Sequence, residues 1–280
     1  MDFSENDLIF RHALIMRAAF YFGEILQKKR SVNKPMGNNV QTNEKHKIKL
    51  SSEATYVAAI ILLAFAVAML SAADFGISMI VAPAYLLSLK TGVLTFGQAE
   101  YVIQAGLFFV LCIILRKFRF VYLFSFVTCL IYGMVLDLWR MIPFFNPTIT
   151  PPVSIDIWLR AIMFVSGVIL TSFSIALFFK TYLYPQVYDF FVKAVSTRYG
   201  IRLSLLKTVV DLSCLAASVI MTFAFFGKIQ GIGWGTLVMA FLNGAVIGLF
   251  SKLLDRMFDF RPTFPRFAAL FELKAENASA

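Results

Sequence analysis

The chain has 280 residues, 59% hydrophobic and only 15% charged, with a formal net charge of +10 and a mean hydropathy of +0.77. A soluble domain sits near about 45–50% apolar and about 25% charged, so this composition excludes an ordinary soluble enzyme and points to an all-α polytopic membrane protein. The basic residues flank apolar runs and form no continuous face, which argues against nucleic acid as a partner and for the lipid bilayer.

The first residues, "MDFSEND", are acidic, and the first long apolar run begins only near Tyr56, so no cleavable signal peptide is expected. "NDLIFRHALIMRAAFYFGEILQKK" has apolar residues at helical spacing, with Arg11, Arg17, Lys28 and Lys29 available to a polar face. Such a helix could lie on the inner leaflet, pack against the ends of the spans, or dock a protein partner. Residues 30–53 are polar and read as a flexible linker, so 1–53 form one N-terminal element. His12 and His46 are isolated, and no metal site can be built from them.

Six segments are long and apolar enough to cross a bilayer, roughly 54–73, 98–115, 120–141, 157–179, 204–226 and 232–254. The stretch "GISMIVAPAYLLSLK" at 76–90 is apolar but short, with Pro83 in its middle, and is expected to be interfacial or re-entrant. Cys112, Cys129 and Cys214 fall inside apolar runs and read as packing residues. The tail 257–280 ends in "ELKAENASA", which is expected to fray. With six spans and the N-terminus inside, twenty-one of the 26 Lys and Arg residues fall in cytoplasmic pieces, against four in outer pieces. Both termini are therefore placed in the cytoplasm.

The chain also divides into halves. Residues 54–142 and 157–256, joined by an outer loop at 143–156, each open with a long apolar helix. Each then gives a short proline-containing segment and two further spans. "APAYLLSLKTGVLTFGQAEYVIQ" corresponds to "YPQVYDFFVKAVSTRYGIRLSLLKTVVD", and "LIYGMVLDL" to "FLNGAVIGL". Three spans per half is odd, so the halves enter the membrane in opposite directions, as two inverted three-helix repeats. In such folds, paired proline-interrupted segments point to a substrate site. Pro83 and Tyr85 in the first half, and Pro185, Tyr188 and Asp189 in the second, are its candidate lining.

Ionisable groups at membrane depth are costly and count as functional candidates. Asp74, Glu100, Gln104 and Asp137 would approach the site from its outer side, Glu100 and Gln104 sharing one helix face. Asp211 and Asn243 would approach from the inner side. Simpler roles compete: Asp74 as a helix cap, Asp137 paired with Arg140, and Lys207 paired with Asp211 four residues on. Gly244 and Gly248 are spaced as GxxxG and read as close helix packing.

The stretches "FGISMIVAPAYLLSLK", "LTFGQAEYVIQ", "SFVTCLIYGMVLDLW", "YPQVYDFFVK", "DLSCLAA" and "GIGWGTLVMAFLNGAVIG" resemble the YczE/YyaS/YitT group of bacterial integral membrane proteins, in its YitT-like branch. The resemblance covers about residues 54–258 and leaves out the N-terminal extension. It implies a bacterial inner-membrane protein of transporter type, with no substrate class attached and no catalytic residue to carry over.

No HExxH, GxSxG or Walker lysine occurs, so neither an enzyme nor a cofactor is expected. The leading expectation is a secondary transporter or permease for a small solute. The alternatives are a non-transporting accessory or assembly protein, and a substrate-binding membrane subunit that recruits an ATPase.

Overall fold

The structure, a computed structural model, describes residues 48–116, 122–183 and 185–268. The expected N-terminal amphipathic helix and the end of the tail lie outside these residues. Six helices are long and apolar enough to span a membrane: α1 (Ser52–Ala73), α3 (Phe96–Leu115), α4 (Leu123–Arg140), α5 (Ile157–Phe178), α7 (Leu203–Phe226) and α8 (Trp234–Met257). Two short helices stand between them, α2 (Ala82–Thr91) and α6 (Val187–Tyr199). Strand β1 (Ile48–Ser51) precedes α1, strand β2 (Phe258–Arg261) follows α8, and a single turn, α9 (Pro265–Ala268), comes after β2.

Helix starts follow local chemistry. Ser51 caps α1 by accepting the Ala54 N–H, and Thr95 and Gln98 form a reciprocal capping box that opens α3. Each short helix begins at its proline. Pro83 occupies the first turn of α2, where a missing N–H costs nothing, and Pro185 stands immediately before Gln186, the N-cap of α6. Left-handed Gly92, Gly200 and Gly227 end α2, α6 and α7.

The core is a pair of helices. α1 and α5 run antiparallel along their length, with Tyr56 against Phe178 at one end and the Arg160 Nε donating to the Ala73 carbonyl, at 2.9 Å, at the other. Small residues make this possible: Ala59, Ala64, Ala68 and Ala72 of α1 are fully or almost fully buried, and a Cβ on Gly167 of α5 would stand 2.8 Å from Leu70. α4 lies along α1, and α8 along α5. The ends of the bundle are named below for Glu53 and Asp74, which mark the start and finish of α1.

Each short helix crosses to the opposite half. α2 packs on α7 as well as on α3, and α6 packs on α3 as well as on α7. Exchanging the halves reproduces most of this neighbour pattern. There are two exceptions: α3 packs closely along α4, whereas α7 and α8 barely touch, and α4 meets α6 without a matching contact of α8 with α2. The close α3–α4 approach needs glycine: a Cβ on Gly97 would collide with the Gly133 carbonyl, and one on Gly133 with the Tyr101 ring.

The Glu53 end carries a feature absent from the sequence expectations. Residues 48–51, expected within the linker, form β1 and pair in parallel with β2, Ile48 opposite Phe258 and Ser51 opposite Arg261. The Glu53 carboxylate accepts from the Tyr182 hydroxyl at 2.7 Å and from the Thr263 and Phe264 N–H groups at 3.0 and 3.2 Å. It thereby fastens the segment after β2 to the start of α1.

Two local expectations are corrected. Gly244 and Gly248 are exposed, and the space beside Gly248 is open, so among the described residues nothing packs against Gly248. Lys207 pairs with Asp189 of α6 at 3.1 Å rather than with Asp211 on its own helix.

Candidate functional site

The polar groups that come together lie on the buried face of α3. Glu100 and Gln104, one turn apart, are both 0% exposed. With a rise of about 1.5 Å per residue, Gln104 lies about 12 Å along a helix about 30 Å long, close to its middle. The first turn of α6 meets it there. Gln104 Nε2 donates to Glu100 Oε2 at 3.0 Å and to Gln186 Oε1 at 3.1 Å, while its Oε1 accepts the Val187 N–H at 3.1 Å. The Tyr188 hydroxyl donates to the same Glu100 Oε2 at 3.2 Å. One glutamine side chain from the first half thus caps a helix of the second.

α4 and α7 close the cluster. The Cys129 thiol faces the Glu100 carbonyl at 4.0 Å. Tyr132 and Cys214 are near enough to Glu100 to interact with it electrostatically. Three buried polar atoms here have no hydrogen-bond partner among the described residues: Glu100 Oε1, the Tyr132 hydroxyl and Gln186 Nε2. Such atoms are rare, because leaving one unpaired costs about 1–3 kcal/mol. Among the described residues no lysine or arginine forms a salt bridge with Glu100, whereas Asp74, Asp189 and Asp255 each have one.

The α6 helix is held along its length. Phe190 and Val195 bury against Leu111 and Leu115 of α3, Tyr122 stacks on Phe190, and the Tyr199 hydroxyl donates to the Ile114 carbonyl at 2.8 Å. It therefore covers the second half of α3, from Gln104 towards the Glu53 end, with its N-terminus pointing at the cluster. Beside it Asp189 pairs with Lys207, and Asp211 lies within electrostatic range of both.

The other sequence candidates sit elsewhere. Asp137 does not pair with Arg140. It accepts from Thr95 Oγ1 at 2.6 Å and from the Gly97 N–H at 2.8 Å, and so secures the start of α3. Arg140 instead lies over the Phe96 ring and donates to Asn146 Oδ1. Asp74 is the left-handed C-cap of α1, 3.9 Å from Arg160. Burial raises its carboxyl above the ordinary range, and the Arg160 guanidinium pulls it partly back. Pro83 and Tyr85 are in α2 at the Asp74 end, where Tyr85 packs against Phe96 and Gly231. Asn243 accepts from Ser172 Oγ at 2.7 Å, between α8 and α5. A depression of about 450 Å³ at the Glu53 end is lined by Phe179, Lys180, Asp255 and residues 258–260, and none of the candidates reaches it.

Of the sequence candidates, then, the structure brings Glu100, Gln104 and Tyr188 into direct contact, with Asp189 next to Tyr188 in the first turn of α6. Gln186, Tyr132, Cys129 and Cys214 join them without having been singled out. Gln186 had a visible signal: an amide directly after the proline of an interrupted apolar stretch. Tyr132 and the cysteines had none, since aromatic and sulfur side chains in an apolar run read as packing.

Six membrane-compatible helices around a small-residue core define a multi-pass α-helical membrane protein. Within that class, the chain belongs to the family of unknown function DUF6198, which it matches over residues 50–252, from β1 nearly to the end of α8. No curated protein and no solved structure matches it.

Proposed function

We propose that the protein is a secondary transporter or permease for a small solute, and that the cluster around Glu100 is where its two halves close on each other. The observation that carries this is a buried carboxylate, without a cationic partner among the described residues, held by donors from α3 and from the N-terminus of α6. Polar and irregular structure at membrane depth is tolerated where it serves a pathway. Discontinuous helices whose N-termini reach the midplane are a recurrent way to build one.

Further features support an inverted repeat as its framework. α1 and α5 run antiparallel, each half supplies one short helix to the other, and the neighbour pattern is largely kept when the halves are exchanged. Rocking one half against the other would part α6 from α3 and expose Glu100. The sequence motifs by which this chain resembles the YczE/YyaS/YitT proteins, in their YitT-like branch, support the same reading. The basic-residue bias supports a cytoplasmic Glu53 end, and the motif resemblance supports a bacterial inner membrane. We assign it no catalytic role and no cofactor.

The test is reconstitution. Purified protein is screened for solutes that raise its thermal stability, and the hits are then measured for uptake into proteoliposomes. Saturable uptake by the protein alone, reduced at least tenfold in Gln104→Ala, is expected. Stoichiometric co-purification with another protein, with no uptake by the chain alone, would favour the accessory or ATPase-recruiting readings instead.

A further inference from the structure

We propose that Glu100 is a proton-binding site, and that its occupancy is transmitted through Gln104 to the N-terminus of α6. The first premise is charge. Glu100 is 0% exposed, and an ionised carboxylate removed from water costs many kcal/mol unless it is paired or neutralised. Among the described residues, the titratable groups facing it are Cys129 and Tyr132 from α4, Tyr188 from α6 and Cys214 from α7, none of which is a cation. From α2 comes Tyr85, whose charged neighbours are Asp74 and Arg140 instead. The α6 N-terminus offers at most about half a positive charge, and Asp189 in the same first turn already shares it.

The second premise is donor and acceptor arithmetic. Glu100 Oε2 accepts from both Gln104 and Tyr188, Gln104 Oε1 accepts from Val187, and Gln186 Oε1 accepts from Gln104. The oxygens left without a partner are Glu100 Oε1 and the Tyr132 hydroxyl. A hard metal ion gathers about six oxygens, and two are too few. A proton needs one. Placed on Oε1, it makes the buried side chain neutral.

The third premise is the connection to α6. Gln104 is a positioning residue that touches Glu100 with its amide N–H and caps Val187 with its carbonyl oxygen. Tyr188 also bridges Glu100 and α6. Loss of the proton leaves a buried negative charge held only by the donors of Gln104 and Tyr188. The balance then favours withdrawal of α6 and entry of water. The cycle is acid–base only: Glu100 takes a proton from water on the side to which it is open and returns it on the other.

This inference rests on the transporter reading for its purpose, but its test does not need solute movement. The full chain in nanodiscs is titrated from about pH 5 to about pH 9. Infrared difference spectra follow the protonated carboxyl stretch, and amide exchange is followed at 187–190. A carboxylic acid band is expected to persist through neutral pH and vanish at alkaline pH, with α6 exchange rising about tenfold over the same range. In Glu100→Gln both changes should be lost. In Tyr188→Phe, which removes a donor to the carboxylate, the titration should move to higher pH, and this variant decides if Glu100→Gln fails to fold. Absence of the band in the native protein, its survival in Glu100→Gln, or an unshifted Tyr188→Phe titration would overturn the proposal. A proton-binding Glu100 in a protein that transports nothing would refute the transporter reading alone.

Discussion

Replacing Gln104 by alanine removes three hydrogen bonds from a site with no exposure: two donated by the amide nitrogen and one accepted from Val187. At about 1 kcal/mol net for each, the loss is about 3 kcal/mol, and leaving the Val187 N–H buried without an acceptor raises it towards about 5 kcal/mol. The cost falls on α6, because its first turn is anchored to α3 by this side chain, while Phe190 and Val195 still hold the rest of the helix. Hydrogen–deuterium exchange in nanodiscs should therefore show local opening at 187–190, faster by about 100-fold to a few thousand-fold. Exchange in α1 and α5 should stay unchanged. Gln104→Met keeps the volume without the polar atoms and should behave like alanine, which separates hydrogen bonding from cavity formation. Less than about threefold acceleration at 187–190 in both variants would refute the idea that Gln104 caps α6.

Gly97→Ala should lower stability by about 1–3 kcal/mol or more by forcing α3 from α4, read as a fall in the thermal midpoint, whereas Gly248→Ala, in open space, should stay within about 0.5 kcal/mol of the native protein. Glu53→Ala should loosen the segment after β2, so that trypsin cleaves after Arg266 about tenfold faster in limited proteolysis. The raised Asp74 carboxyl means that the folded state holds its proton more tightly than the unfolded one. That contribution is present at low pH and is lost as pH rises through the folded value. Asp74→Asn should flatten this decline in a stability–pH series, by a small amount because the side chain is 44% exposed. A cysteine at Thr148 should react with an impermeant reagent from outside the cell, and one at Thr197 only after permeabilisation; the reverse pattern would invert the proposed orientation.

The membrane helices were legible because a span is a property of composition: about twenty apolar residues suffice, and the boundaries read from the sequence fall within a few residues of the helices observed. The proline segments were legible for a related reason, since proline fixes where a short helix starts. What escaped depends on distant partners. The i,i+4 spacing of Lys207 and Asp211 favours a local pair, but Asp189 on α6 competes for the same ammonium and wins. Asp137 stands one turn from Arg140 yet serves the start of α3 instead. The spacing of Gly244 and Gly248 marks a surface suited to close approach, and only the tertiary arrangement shows that none of the described residues approaches Gly248. Strand β1 is four residues long, and its partner lies some two hundred residues away, so no local pattern announces it.

That two-stranded ribbon has a consequence for how the chain can cross a bilayer. β1 enters α1 with no intervening residue, and β2 leaves α8 in the same way. Strands that are hydrogen-bonded to each other must occupy one compartment, so the number of crossings between them is even. Six satisfies this parity, and counting α2 as a seventh would break it. The ribbon also cannot form until the last span has been made and inserted. Its closure is therefore a late event in biogenesis, possible only for a chain whose every crossing has gone the right way.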